Sequence, residues 1–155
     1  MRLPLAASAL LALALASAAG ASFTFVASKD PITDANRSFI YTDGLEDEDT
    51  TLYFRCMEDG LNVVVDPADY LGDEPYGLFR FDKLAASQNF DWDPDVKGEQ
   101  ALLPIPRVKS FVAQAKKSKL LTVRIYDDDD APVTLSFNLA GLAAALQKLP
   151  CAKGF

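Results

Sequence analysis

The chain has no histidine. That removes the usual general base at neutral pH and the commonest zinc ligand. It also excludes a serine–histidine–aspartate hydrolase. Cysteine is scarce: Cys56 and Cys151 are the two, 95 residues apart. The eight glycines never cluster into a phosphate-cradling loop. Positive charge is short as well, with 15 Lys and Arg against 22 Asp and Glu and a net charge of -7. Such a chain repels phosphate backbones, so nucleic acid is a poor partner, and anionic membrane surfaces are disfavoured for the same reason. Basic proteins and metal cations remain open as partners.

What is present begins with an apolar leader. Met1-Arg2 is a short positive start, and Leu3 to Ala16 is apolar except for Pro4 and Ser8. Ala19-Gly20-Ala21 has the small residues of a cleavage site, with Ala16-Ser17-Ala18 as a second. The run falls short of the roughly 20 apolar residues of a membrane-spanning helix. Residues 1–21 are therefore expected to be a cleaved export signal, with an uncleaved N-terminal anchor as the alternative. Cleavage leaves Ser22–Phe155, one domain with no membrane span, in the periplasm or outside the cell. Loss of Arg2 takes its net charge from -7 to -8. An oxidising compartment and an even cysteine count predict one disulfide, Cys56–Cys151, over two buried free thiols.

Along that chain, Ser22–Ser28 and Ser38–Tyr41 read as short strands. In Thr51–Met57, Leu52, Phe54 and Cys56 alternate with Tyr53, Arg55 and Met57, which puts Cys56 on the core face. The turn Glu58-Asp59-Gly60 and the run Leu61–Asp66 complete a hairpin. Gly77–Asp82 and Gln88–Trp92 predict a second hairpin, with Phe79 and Phe81 sharing one face and Phe90 and Trp92 another. Ala101–Ile105 reads as an edge strand, because Pro104 cannot donate to a ladder. The period then changes. Val108, Phe111, Val112 and Ala115 form a helical stripe within 107–117, and Pro106 suits its first turn. Leu120–Tyr126 and Pro132–Asn138 pair across an acidic turn. Asn138 is a plausible N-cap for a last helix over 139–148, whose buried stripe is Leu142, Leu146 and Leu149. The expected fold is α+β: mainly antiparallel hairpins in a sheet or sandwich, two short helices packed on it, and one disulfide.

The candidate chemistry is carboxylate and guanidinium. Asp91, Asp93 and Asp95 have the spacing that opens a calcium loop, but Val96 and Leu102 stand where glycine and glutamate are needed. No metal or cofactor is expected. Asp127, Asp128, Asp129 and Asp130 are the sharpest local charge. They read first as a solvated hairpin tip, and second as a site for a cation or a basic partner. The run Glu46–Asp49 reads the same way. Arg55 and Arg80 lie mid-strand; a cross-strand pair with an aspartate such as Asp66 or Asp82 is one reading, a recognition role the other. Tyr53, Phe79, Phe81, Phe90 and Trp92 read as core more than as a ligand platform. No two carboxylates are placed as a catalytic pair, and the chain is not expected to be an enzyme.

The order of local motifs resembles a family. The pieces are Phe54-Arg55-Cys56, Val65-Asp66-Pro67-Ala68-Asp69-Tyr70-Leu71, and Phe79-Arg80-Phe81-Asp82 followed by Trp92. Then come Leu121–Tyr126, Phe137-Asn138-Leu139-Ala140-Gly141-Leu142 and the closing Cys151. This order is similar to that of the VasI/TagO family of exported proteins, often encoded with type VI secretion systems. The resemblance implies a secreted accessory protein and no catalytic residues. Three functions follow as expectations: a noncatalytic envelope accessory protein that binds another protein, a secreted inhibitor or binder of a basic cell-wall enzyme, or a carboxylate-based cation-binding protein.

Overall fold

A computed structural model describes residues 23–155; the export signal expected over residues 1–21 lies outside them. The strands are β1 (Thr24–Val26), β2 (Phe39–Asp43), β3 (Thr51–Met57), β4 (Gly60–Asp66), β5 (Tyr76–Phe81), β6 (Phe90–Asp91), β7 (Asp93–Pro94), β8 (Ala101–Leu102), β9 (Leu120–Tyr126) and β10 (Pro132–Asn138). The helices are α1 (Ile105–Ala115) and α2 (Leu142–Leu146), and a 3-10 turn spans Pro150–Ala152. One sheet has the order β1-β2-β3-β4-β8-β7 and the other β10-β9-β5-β6, with every pairing antiparallel. The fold is α+β, and its two sheets share one apolar core.

The alternation in β3 sets that core. Leu52, Phe54 and Cys56 are buried, while Tyr53, Arg55 and Met57 turn to the other face and stay half-exposed. Ile40 of β2 and Val63 and Val65 of β4 join the inward set. From the second sheet, Leu121, Val123, Ile125, Leu135 and Phe137 face it. Helix α1 closes one side with its predicted stripe, Val108, Phe111, Val112 and Ala115. The Phe111 ring sits 5.0 Å from both Phe79 and Phe81.

Several expected boundaries move. Helix α1 runs over Ile105–Ala115 and not 107–117, because extended Pro104 stands at its N-cap and places Pro106 in the first turn. The last helix is Leu142–Leu146 and not 139–148. Asn138 ends β10 and accepts the Ala140 N–H at 2.9 Å, so Gly141, with φ of +84°, takes the N-cap. Leu149 is then extended, and Pro150 opens a separate 3-10 turn. The strand expected over 101–105 shrinks to β8, which lies between β4 and β7. The edge of the sheet on that side is β7, and it carries Pro94. The chain changes sheets at Trp92, which is buried between β6 of one sheet and β7 of the other.

The disulfide Cys56–Cys151 joins the inner face of β3 to the 3-10 turn, with Cα atoms 5.5 Å apart. Leu149 and Ala152 flank Cys151 and are buried in the same core. A cross-link closing a loop of 95 residues stabilises by about 4–5 kcal/mol in the chain-entropy model. Cys56→Ser, Cys151→Ser or full reduction should therefore lower the thermal midpoint by on the order of 10 °C. Calorimetry of the oxidised and reduced protein checks this, and coincident melting curves would refute it.

Candidate functional site

The outer face of a sheet is ordinarily polar, yet the outer face of the first sheet carries a triangle of aromatic rings. Strand pairing builds it. Tyr41 of β2 lies opposite Tyr53 of β3, and Phe39 lies opposite Arg55. Ring centroids are 5.9 Å apart for Phe39–Tyr53 and Tyr41–Tyr53, and 6.2 Å for Phe39–Tyr41. These spacings fall within the favoured range for aromatic pairs. All three rings are half-exposed. Val64 of β4 is fully buried on the same face, opposite both Tyr53 and Leu102. Tyr53 is thus part of a surface platform, on the side the alternation of β3 gives it, which corrects its placement with the core aromatic residues. The other four aromatic positions, Phe79, Phe81, Phe90 and Trp92, are in or against the core.

Arg55 borders this triangle. Its Nη1 donates to Gln100 Oε1 over a long 3.5 Å, and Gln100 Nε2 donates to Asp66 Oδ2 at 2.8 Å. Arg55 and Asp66, one of the aspartates considered as a partner, are therefore linked only through an amide. Arg55 Nε is buried and makes no hydrogen bond to the described residues. Burial lowers the pKa of the guanidinium from its ordinary value, while Asp95, Tyr53 and Asp59 favour the charged form. One end of the face is acidic: Asp43 and Asp66 flank Thr51 in the strand register.

Arg80 occupies the outer face of the second sheet, opposite Thr122 of β9. It forms no ion pair among the described residues. Asp82, one of the aspartates considered as a cross-strand partner for an arginine, is used elsewhere. Asp82 Oδ1 accepts the N–H groups of Lys119 and Leu120, each at 2.9 Å, and clamps the start of β9. Those two donors hold its carboxyl below the usual range.

The aspartate run caps the β9–β10 hairpin with its own side chains. Asp127 Oδ1 accepts the N–H of Asp129 at 2.9 Å and of Ala131 at 2.8 Å. Asp128 reaches across to the segment before β5 and accepts the N–H of Asp73 and Glu74. Asp130 accepts the Tyr76 hydroxyl at 2.9 Å, which raises the Tyr76 pKa. The Tyr76 ring in turn stacks on Tyr126 at 4.7 Å. Gly72 completes the contact, since its φ of +83° and the approach of the Asp128 carboxylate leave no room for a Cβ. The Asp129 side chain alone of the four makes no such bond among the described residues. Among the described residues no three His, Cys, Asp or Glu side chains converge as metal ligands would. Asp91 and Asp93 belong to strands of different sheets, so their spacing does not make a calcium loop. Asp95 closes its own turn; burial pushes its pKa up, but the Glu99 and Gln100 N–H groups outweigh this and hold it low.

Two predictions follow from these bonds. Asp127→Ala should destabilise by about 1 kcal/mol through loss of its hydrogen bonds. Asp129→Ala should stay within about 0.5 kcal/mol of the parent; equal effects in urea titrations would contradict the assignment. Asp30, Asp82 and Asp95 all have lowered pKa values, so their contribution is present above the ordinary value of 3.8 and is lost as pH falls through the lower folded values. Asp82→Asn should lower the midpoint at neutral pH and flatten its decline below pH 3.8. An unchanged acid limb in melting curves would exclude the clamp.

No family model and no curated protein matches the chain. A solved structure does: the crystal structure of invasion associated protein B from Bartonella henselae, at 15% sequence identity and a TM-score of 0.56. The match covers 88% of this chain and 96% of that one. At this identity the likeness speaks for the fold alone, and it extends over nearly the whole of that bacterial protein.

Proposed function

We propose that the protein is an exported, noncatalytic accessory domain of the bacterial envelope, and that it binds another protein through the outer face of its first sheet. The observation that carries this reading is the Phe39–Tyr41–Tyr53 triangle beside Arg55. Aromatic residues and arginine are the types enriched at the centre of protein interfaces. The Arg55 guanidinium is half-buried and its one side-chain bond, from Nη1 to Gln100, is a long 3.5 Å, so its terminal N–H groups can turn to an acceptor brought by a partner. The disulfide supports an oxidising compartment. No helix among the described residues is long and apolar enough to cross a membrane.

The noncatalytic reading rests on how the reactive groups are occupied. Both cysteines are bonded, and the low-pKa carboxylates of Asp82 and Asp95 serve as acceptors for backbone N–H groups. A carboxylate held ionised in this way is a poor general acid. The resemblance of the motif order to that of the VasI/TagO family favours an accessory role alongside a secretion system. A second reading, binding or inhibition of a basic cell-wall enzyme, is favoured by the acidic end of the face at Asp43 and Asp66 and by the net charge of -8 that follows when Arg2 is removed from a chain of -7.

The test is a comparison of captured proteins from envelope extract, using the mature domain and its Tyr41→Ser/Tyr53→Ser variant. The variant should melt cooperatively and recover at least about tenfold less of the parent's partner, equivalent to about 1.4 kcal/mol. Recovery by the parent should also fall with added salt. Equal capture by a folded variant would overturn the assignment of this face.

A further inference from the structure

We propose that a cleft on the outer face of the second sheet, remote from the aromatic face, binds a carboxylate carried on a short apolar stem. The cleft has a volume of about 200 Å³ and is lined by Leu78 and Arg80 of β5, Thr122 and Arg124 of β9, Thr134 of β10 and Ala86 of the β5–β6 connection. Strand register puts Leu78 opposite Arg124 and Arg80 opposite Thr122. The two arginines are therefore diagonal neighbours on one face, with Cα atoms about 7–8 Å apart.

In a chain carrying 22 acidic residues, two exposed arginines side by side would be expected to find carboxylates. Neither forms an ion pair among the described residues. Arg124 Nε instead donates to Thr134 Oγ1 at 3.0 Å, which fixes its guanidinium plane and leaves its outer N–H groups free. The cleft lining holds no carboxylate; Asp130 accepts the Tyr76 hydroxyl, and Glu46 accepts the Ser136 N–H at 3.1 Å. Adjacent like charges repel, and a bound anion relieves that repulsion. A guanidinium plane matches a carboxylate through paired N–H donors.

The remaining walls choose the rest of the ligand. Leu78 and Ala86 supply apolar contact. The volume lies below the roughly 300–1,000 Å³ of pockets that enclose a whole drug-sized ligand. It suits one terminal residue or one small acid. A multiply charged polyanion would meet the repulsion of the surrounding acidic surface. The ligand chemistry is thus a single carboxylate with an aliphatic group behind it, supplied by a peptide C-terminus or by a free small acid.

Backbone amide NMR of the mature domain tests this, with three probes: N-acetyl-leucine, a short peptide ending in leucine, and the same peptide amidated. The expected result is saturable shifts at Thr122, Arg124 and Thr134, at least tenfold weaker for the amide. Arg80→Gln and Arg124→Gln, checked for an unchanged melting midpoint, should each weaken binding at least tenfold. A peptide that binds far tighter than N-acetyl-leucine identifies the source as a chain terminus; equal affinities identify a free acid. Equal binding of acid and amide, no saturable shift, or inorganic phosphate displacing the probe at lower concentration than acetate would overturn the proposal. None of these results bears on the Phe39–Tyr41–Tyr53 face, so the two sites fail separately.

Discussion

Cys56 points inward from the middle of the first sheet, and Cys151 reaches it from the far end of the chain. Between them the polypeptide visits the second sheet, returns to the first at β7 and β8, and goes back again through α1 to β9 and β10. The segment after β10 is weak by itself. Helix α2 has five residues and no side-chain cap, and isolated helices of that length do not persist in water. Burial of Leu142, Leu146 and Leu149, together with the bond to Cys56, holds the segment against β3 and β4. Because that segment leaves from the second sheet and is fastened to the first, it restrains the two sheets relative to each other.

With the core closed in this way, the polar side chains take on the ends and edges. Asp82 clamps the entry to β9, Asp127 shapes its exit, and Asp128 fastens the segment that leads into β5. The sheet edges are protected by similar means. Strand β7 is two residues long and contains proline, and β1 has only three residues. Strand β10 is capped where Leu45 N–H donates to the Ser136 carbonyl and Glu46 accepts the Ser136 N–H. Short, proline-bearing or covered edges resist pairing with other chains. The broad outer faces of the sheets are the surfaces left for recognition.

Much of this was legible in the residues and some was not. The alternation of Leu52, Phe54 and Cys56 and the helical spacing of Val108, Phe111, Val112 and Ala115 are local signals, and both describe the buried faces observed. Residue alternation says which side chains share a face of one strand; it does not say what stands beside them. The Phe39–Tyr41–Tyr53 triangle needs the β2–β3 register, and the Arg80–Arg124 neighbours need β5 beside β9, some forty residues later in the chain. Asp82 was open to misreading as an arginine's partner because its two backbone donors, Lys119 and Leu120, lie far along the chain at the start of β9. The aspartate run looked like charge alone, while its bonds to Asp73, Glu74 and Tyr76 arise only when the β9–β10 hairpin packs beside the start of β5. Helix ends shifted because Pro104 and Gly141, more than the apolar stripes, decide where the backbone can turn.

The central claim is that the reactive groups of this acidic domain hold the fold, while the aromatic face of the first sheet meets the partner. Hydrogen–deuterium exchange of the mature domain, alone and bound to a partner purified from the envelope, tests it directly. The account predicts new protection concentrated in Phe39–Asp43 and Thr51–Met57, with α2 and the aspartate hairpin unchanged. Protection confined to the hairpin Asp127–Asp130 or to the C-terminal segment would contradict it.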